Sequence, residues 1–305
     1  MTISASLVKE LREKSGAGMM DCKKALVEAA GDFEKAVDWL RTKGLAAAAK
    51  KSGRVAAEGL TAVSVSGNKA AAVEINSETD FVSRNSDFQN LVKEISEKAV
   101  EVDSFDSLKS TKVASGKTVE EEVVAKVSTI GENITLRRSQ HLSVTDGVIS
   151  SYVHNSTADN MGKISVLVAL ESTGDKAKLS ETAKLIAMHV AAAKPEALTR
   201  DELDPALIQR ERDIFTEQTK DSGKPANIIE KMIEGRIRKF YEEAVLLDQT
   251  YVIDGKTKIN EVIANLSKEI GADVQLKSYV RFETGEGIEK EEANFADEVA
   301  SMTKN

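Results

Sequence analysis

The sequence predicts an α+β protein, and three observations carry that class. Apolar residues recur at helical spacing over residues 4–51 and again over 205–245. Between those stretches, period-two alternation marks short strands. The order strand, strand, helix then occurs twice, over residues 60–99 and 148–190, with little identity between the copies, which reads as a weak internal duplication.

The 305 residues leave room for two or three domains and a substantial core. Aromatics make up only 4%, so that core must be built from Val, Ile, Leu and Ala. One cysteine, Cys22, excludes an internal disulfide or a multi-cysteine zinc site and fits a reducing compartment. The start, Met1-Thr2-Ile3-Ser4, lacks the basic-then-apolar pattern of a signal peptide, and no apolar run reaches membrane-spanning length. A soluble cytoplasmic protein with no membrane partner is expected. Net charge is −8 but uneven: residues 1–54 carry eleven Lys/Arg against seven Asp/Glu, and the remainder 31 against 43. A basic module on an acidic body suggests a nucleic-acid surface. Its basic residues alternate with acids along helices, however, which is the pattern of a solvated face and weighs against nucleic acid as a partner.

Residues 4–51 read as three short helices. Leu7, Val8 and Leu11 share a face of the first, and Gly16 is placed to cap it. Gly16-Ala17-Gly18 delivers Met19 and Met20 to the start of the second. Either one Met packs inward or both serve as an adaptable partner-binding surface. Asp32 is a good N-cap for the third helix, with Phe33, Val37 and Leu40 aligned, and Gly44 is expected to interrupt it. After a linker at 52–54, Leu60 to Val65 and Ala71 to Ile75 alternate as strands around Gly67-Asn68, a two-residue hairpin turn. Ser86-x-x-Gln89 has the form of a capping box opening a helix with Phe88, Leu91, Val92, Ile95 and Ala99 on one stripe.

Residues 103–117 are polar and loosely patterned. A helix is expected at 118–128 and a strand from Ile130 to Arg138. Val148 to Val153 and Lys163 to Leu170 read as strands joined by a loop at 154–162, leading to a helix with Leu179, Ala183, Ile186, Ala187 and Val190 that stops before Pro195. Asp204-Pro205 is an N-cap followed by a first-turn proline. It opens two consecutive helices, joined by a turn at 222–225, that should form an antiparallel hairpin, either projecting from the body or packed on it. Residues 257–269 read as helix, Val274 to Phe282 as strand, and Ala293 to Met302 as a helix with an acidic face.

Between the first strand pair and its helix stands Ser77-Glu78-Thr79-Asp80-Phe81-Val82. Thr79-Asp80 is a natural helix-start pair. In one reading Asp80 caps a turn and Phe81 enters the core. In the other, Phe81 is an exposed aromatic beside an acid, suited to probing a partner's pocket. Recognisable catalytic chemistry is missing. His141, His154 and His189 share no ligand spacing, and His189 sits in an apolar helical run as a core histidine would. Gly285-Glu286-Gly287 lacks the third glycine of a dinucleotide loop, and its acid would repel phosphate. No nucleophile elbow is present.

Several blocks together resemble one family. Gly16-Ala17-Gly18-Met19-Met20-Asp21-Cys22-Lys23-Lys24-Ala25-Leu26 is similar to the N-terminal signature of the bacterial elongation factor Ts family, and Thr79-Asp80-Phe81-Val82 with Phe88-Gln89 to its central signature. Ile130-Gly131-Glu132-Asn133-Ile134 with Arg137-Arg138, Ala187 to Ala192, Glu230 to Arg236, and Arg281 to Lys290 follow in the family's order, so the resemblance spans the chain. It implies a ubiquitin-associated-like helical domain at 1–54 and a duplicated α+β core, with an N-subdomain at 55–140 and a C-subdomain at 141–199 and 246–284. A protruding helical hairpin of dimerisation or coiled-coil type at 200–245 and a C-terminal helical module at 285–305 complete the architecture it implies. The implied activity is guanine nucleotide exchange on elongation factor Tu, with no cofactor, no covalent chemistry and no direct nucleotide binding. Carried over, Thr79, Asp80, Phe81 and Val82 would dislocate the partner's Mg2+, while Met19, Met20 and His154 would contact the partner. Ser77 and Ser83 stand where the family commonly has cysteine and alanine, with no consequence expected.

Overall fold

The computed structural model of the chain describes residues 3–15, 17–220 and 225–289. The cap expected at Gly16, the turn at Ser222-Gly223-Lys224 and the helix expected at 293–302 lie outside them, as does the C-terminal module beyond its first five residues. The described residues are a mixture of helix and strand, as the α+β class requires.

The N-terminal module is three helices, α1 (Ala5–Ser15), α2 (Met19–Glu28) and α3 (Phe33–Lys51). Their common core is small: Val8, Leu11, Cys22, Ala25, Leu26 and Ala36, with Phe33, Val37, Trp39 and Leu40 only partly covered. Asp32 caps α3 as expected, its carboxylate accepting the Lys35 N–H at 3.1 Å. Gly44 does not interrupt α3, which runs unbroken through it. The glycine serves packing instead. A Cβ there would stand 3.1 Å from Ser128 Oγ on the helix beneath, and that hydroxyl donates to Gly44 O. Lack of a side chain lets the two helices approach.

Six strands form one antiparallel sheet: β1 (Glu58–Ser66), β2 (Lys69–Ser77), β3 (Thr135–Ser143), β4 (Gly147–Ala158), β5 (Met161–Glu171) and β6 (Gln275–Glu283). The order is β3-β2-β1-β5-β4. β5 meets β1 only at Met161 and Gly162, and β6 takes over the same edge of β5 from Ile164 onward. β1 and β2 turn at Gly67-Asn68 in the predicted register, with Gly67 at a left-handed φ of 56°.

One face of the β1–β2–β3 half packs on α4 (Ser86–Val100), α5 (Phe105–Ser110) and α6 (Val119–Ile130) through Leu60, Val73, Ile75, Phe88, Leu91 and Ile95. One face of the β4–β5–β6 half packs on α7 (Lys176–Ala193) and α10 (Ile259–Ile270). The remaining faces meet each other through Val63, Ala70, Ala72, Leu167, Ala169, Val280 and Phe282. This explains why β2, with three successive alanines, is buried on both sides: small side chains let a second sheet layer lie close.

Three expectations need correction here. α4 is not opened by a Ser86–Gln89 box: Asn85 is the cap, accepting the Asp87 and Phe88 N–H groups, while Gln89 Nε2 donates to Ser83 O. β3 begins at Thr135, because α6 continues to Ile130 and ends at Gly131, left-handed at φ 91°. The supposed loop at 154–162 is mostly strand. β4 runs on to Ala158 through a bulge between Ser156 and Ala158, with Asn155 at φ 51° absorbing the irregularity, so its connection to β5 is only Asp159-Asn160.

α8 (Pro205–Thr219) and α9 (Ala226–Ala244) form the helical pair. At its base Leu207, Ile208, Phe240 and Tyr241 cover Ala197, Leu203, Ala244 and Val245. Farther along, Ile214 and Ile228 are exposed. His189 is a core histidine: fully buried, it lies 2.8 Å from Gln249 Oε1 through Nε2, and its Nδ1 accepts the Val252 N–H. Burial holds its pKa below the ordinary histidine value.

Candidate functional site

β2 leaves the sheet at Ser77, and five residues later the chain is already descending toward α4. Residues Asp80–Arg84 form one 3₁₀ turn, preceded by Thr79 in extended conformation at φ −122°, ψ 158°. The change from extended to helical backbone at the 79–80 junction pushes Asp80 and Phe81 outward. Phe81 is 77% exposed, whereas its neighbour Val82 is 6% exposed and belongs to the core beneath. Burying Val82 secures the turn, and leaving Phe81 outside gives up roughly 1.5–3 kcal/mol that a covered Phe would contribute.

Thr79 stands at the N-cap position, as the helix-start pair suggests, but its side chain makes no bond to the turn. Its hydroxyl donates instead to Glu132 Oε1 at 2.6 Å, and its N–H to Glu132 Oε2 at 3.0 Å. The segment after α6 replies in kind: the Asn133 N–H donates to Glu78 Oε1 at 2.6 Å, and Asn133 Nδ2 donates to Arg54 O. Ser77 and Ser83, from which no consequence was expected, are both buried and both used. Ser77 Oγ donates to Thr79 O at 3.0 Å, and Ser83 Oγ to Asp80 O at 2.6 Å. The Thr79 and Asp80 carbonyls are thus satisfied from inside, while the Asp80 and Phe81 side chains are exposed.

A second polar cluster sits farther back along β2. Glu74 is fully buried and receives Arg137 Nη1 at 3.1 Å, Arg138 Nε at 2.5 Å, Asn76 Nδ2 at 2.9 Å and the Gly285 N–H at 2.7 Å. A buried carboxylate with this many donors is well satisfied. The Gly285 backbone presses on Ala57, whose carbonyl would lie 2.1 Å from a Cβ there, so only glycine, at φ 74°, fits. Gly285-Glu286-Gly287 is therefore a structural closure of the sheet: Arg137 Nη2 donates to Glu286 O, and Arg281 pairs with the Glu286 carboxylate.

The other predicted partner-binding residues stand on separate elements. Met19 and Met20 open α2 and are 46% and 76% exposed, so neither is the inward-packing residue of the alternative reading. His154 is exposed within β4, an edge strand of the sheet, with its Nδ1 3.0 Å from Tyr152 Oη. The structure gathers Thr79, Asp80, Phe81 and Val82 into one turn and leaves the two methionines and His154 elsewhere. Sequence reasoning missed the supporting groups Glu132, Asn133, Ser77 and Ser83. Glu132 and Asn133 were visible as part of a family block, but a contact across 53 residues has no periodicity to announce it.

No described helix is long and apolar enough to cross a membrane. Among the described residues no cluster of His, Cys, Asp and Glu could hold a metal ion. Residues 78–286, which include the tip and its clamp, match the family described as Elongation factor TS. Elongation factor Ts of Rickettsia bellii is 59% identical over 305 residues, covering 100% of this chain and 99% of the relative. Elongation factor Ts of Rhodospirillum centenum is 59% identical over 302 residues, 98% of each chain, and that of Rickettsia typhi 56% identical over 305 residues, covering 100% of this chain and 99% of the relative. With similarity running over the whole length, the chain belongs to the elongation factor Ts family.

Proposed function

We propose that this protein, a translation elongation factor by family, is a guanine nucleotide exchange factor that binds elongation factor Tu·GDP in the cytoplasm and promotes release of GDP. The observation that carries this reading is the tip: Phe81 exposed beside an acid, on a turn fastened to rigid elements on both sides. In the partner, GDP is held by a phosphate loop and by Mg2+, whose octahedral shell tolerates little displacement. Phe81 acts as the wedge, and its burial offsets the distortion of the partner's site. Asp80 disturbs the surroundings of the ion. Met19, Met20 and His154 supply further contacts. Coupling is reciprocal, so GDP weakens this protein's binding by the same factor that this protein weakens GDP, and an incoming GTP expels the factor. No bond is made or broken, so the protein is not an enzyme and needs no cofactor. We take 1–54, 55–140, 141–199 with 246–284, 200–245 and 285–305 as its working domain division.

The test is release of fluorescent GDP from elongation factor Tu, with and without this protein and with the Asp80→Ala/Phe81→Ala variant. Strong acceleration by the wild type and little by the variant is expected. Acceleration by both moves the site elsewhere, and acceleration by neither removes the function. A rival reading, RNA binding by the basic N-terminal module, has its net charge of +4 in favour. Against it, Lys14, Lys35, Lys43 and Arg41 are each paired with a carboxylate. Steep loss of binding with salt would mark RNA, because neutralised phosphates release counterions.

A further inference from the structure

We infer that Glu132 is the positioning residue of the exchange tip, and that the Glu132-Asn133 segment exists in this fold to hold Thr79. The inference rests on the reading of residues 79–82 as the exchange site and deepens it. Its basis is the way Thr79 is held. All three of its polar groups are engaged: the hydroxyl and the N–H by the two oxygens of one carboxylate, and the carbonyl by Ser77 Oγ. A bidentate grip of this kind fixes both the position and the rotation of the residue, where a single hydrogen bond would leave a swivel. Thr79 is the last extended residue before the turn, so its backbone angles set the direction in which Asp80 and Phe81 leave the surface.

The grip is reciprocated one residue along each strand of chain: Glu132 takes Thr79, and Glu78 takes the Asn133 N–H at 2.6 Å. Such crossed bonds resist shear between the two segments, since sliding either one breaks both. Gly131 makes this possible. Its left-handed φ of 91° ends α6 abruptly and turns the next two residues toward the tip. Asn133 Nδ2 also ties in Arg54 O, at the exit of the N-terminal module, and the Arg54 guanidinium lies 3.4 Å from Glu78. Glu132 is half-buried and has no place in the apolar core, so its position is better explained by the tip than by stability.

The role predicts a specific pattern of loss. Removing the clamp lets the tip swivel without removing the groups that touch the partner. The maximal exchange rate at saturating factor should then fall, while the concentration giving half that rate changes little. Misplacement of a working group by about 1 Å can cost ten- to a hundredfold in rate. Glutamine is the discriminating substitution, because its Oε1 can accept the Thr79 N–H while its Nε2 donates to the Thr79 hydroxyl.

The experiment measures GDP release from elongation factor Tu over a range of factor concentrations. It uses the full chain as wild type, Glu132→Ala, Glu132→Gln, Asp80→Ala/Phe81→Ala, and the triple variant joining Glu132→Ala to the last. Hydrogen exchange of the Thr79 amide is followed by NMR in the same proteins. We expect Glu132→Ala to lower the maximal rate about tenfold with under about threefold change in half-saturation, and to expose the Thr79 amide. Glu132→Gln should restore most of both. Glu132→Ala should add no further loss once Asp80 and Phe81 are gone, the non-additivity of residues acting through one another. An equal further loss in that background would mean a general effect on the fold and would overturn the inference. So would a Glu132→Gln as slow as Glu132→Ala, or a Glu132→Ala as fast as wild type while the tip variant is slow. If the tip variant itself exchanges like wild type, the site reading fails first and this inference with it.

Discussion

Replacing Phe81 by alanine should separate binding from folding, because the ring stands largely in water. With 77% of its surface in water, the side chain contributes to the folded state only through the remaining quarter. Full burial of a Phe is worth roughly 1.5–3 kcal/mol, so the exposed part holds roughly 1.2–2.3 kcal/mol in reserve for a partner, and the covered part under about 0.7 kcal/mol. At about 1.4 kcal/mol per tenfold, the reserve corresponds to roughly seven- to fiftyfold in complex formation or exchange. The assay is stopped-flow release of fluorescent GDP from elongation factor Tu against factor concentration, run beside urea unfolding of the free protein. Exchange should drop within that range, and unfolding free energy should change by less than about 1 kcal/mol. Exchange within twofold of wild type would refute the wedge. A large loss of stability would show that the ring is covered in solution and that its exposure had been misread.

Val82→Ala should give the opposite profile, because Val82 is buried in the core under the turn. Its two lost methyl groups and the space they leave should cost about 2 kcal/mol in urea unfolding, and a neutral result would mean the turn is not anchored there. Met19→Ala with Met20→Ala should weaken the complex in a binding titration while shifting Tm little, since both side chains are exposed; equal losses in both measurements would return them to the helical core. His189 should make stability depend on pH. Burial lowers its folded pKa, so the unfolded chain protonates first as the pH falls; its contribution is present above the unfolded value of about 6.5 and is lost as the pH falls from there through the lowered folded value. The gap in Tm between wild type and His189→Gln should therefore narrow from pH 7.5 to 5.5, and a constant gap would exclude His189 as the cause.

Much of the fold was legible because it is written in local pattern. The β1–β2 hairpin announces itself by alternation and Gly67-Asn68, α3 by Asp32, and α8 by Asp204-Pro205. Errors fell where a distant group decided the local structure. Gly44 looks like a helix breaker until Ser128 is placed against it. The stretch after His154 looks like a loop because it is polar. It becomes strand because β5 offers a partner and a bulge absorbs the mismatch. Ser77 and Ser83 look incidental until their hydroxyls are found under the tip.

By itself, then, the sequence determined the α+β class, most of the elements though not α5, and the family, along with the turn in which the candidate site lies. Each of these follows from spacing along the chain, whether helical period, strand alternation, cap or motif. Only the tertiary structure decided that Phe81 faces water while Val82 does not, that both methionines are exposed, and that Glu132 rather than Thr79's own turn receives the Thr79 hydroxyl. Which side of a turn is covered depends on what packs beneath it, and hydrogen bonds between residues 53 apart form only when folding has brought two ends of different elements together.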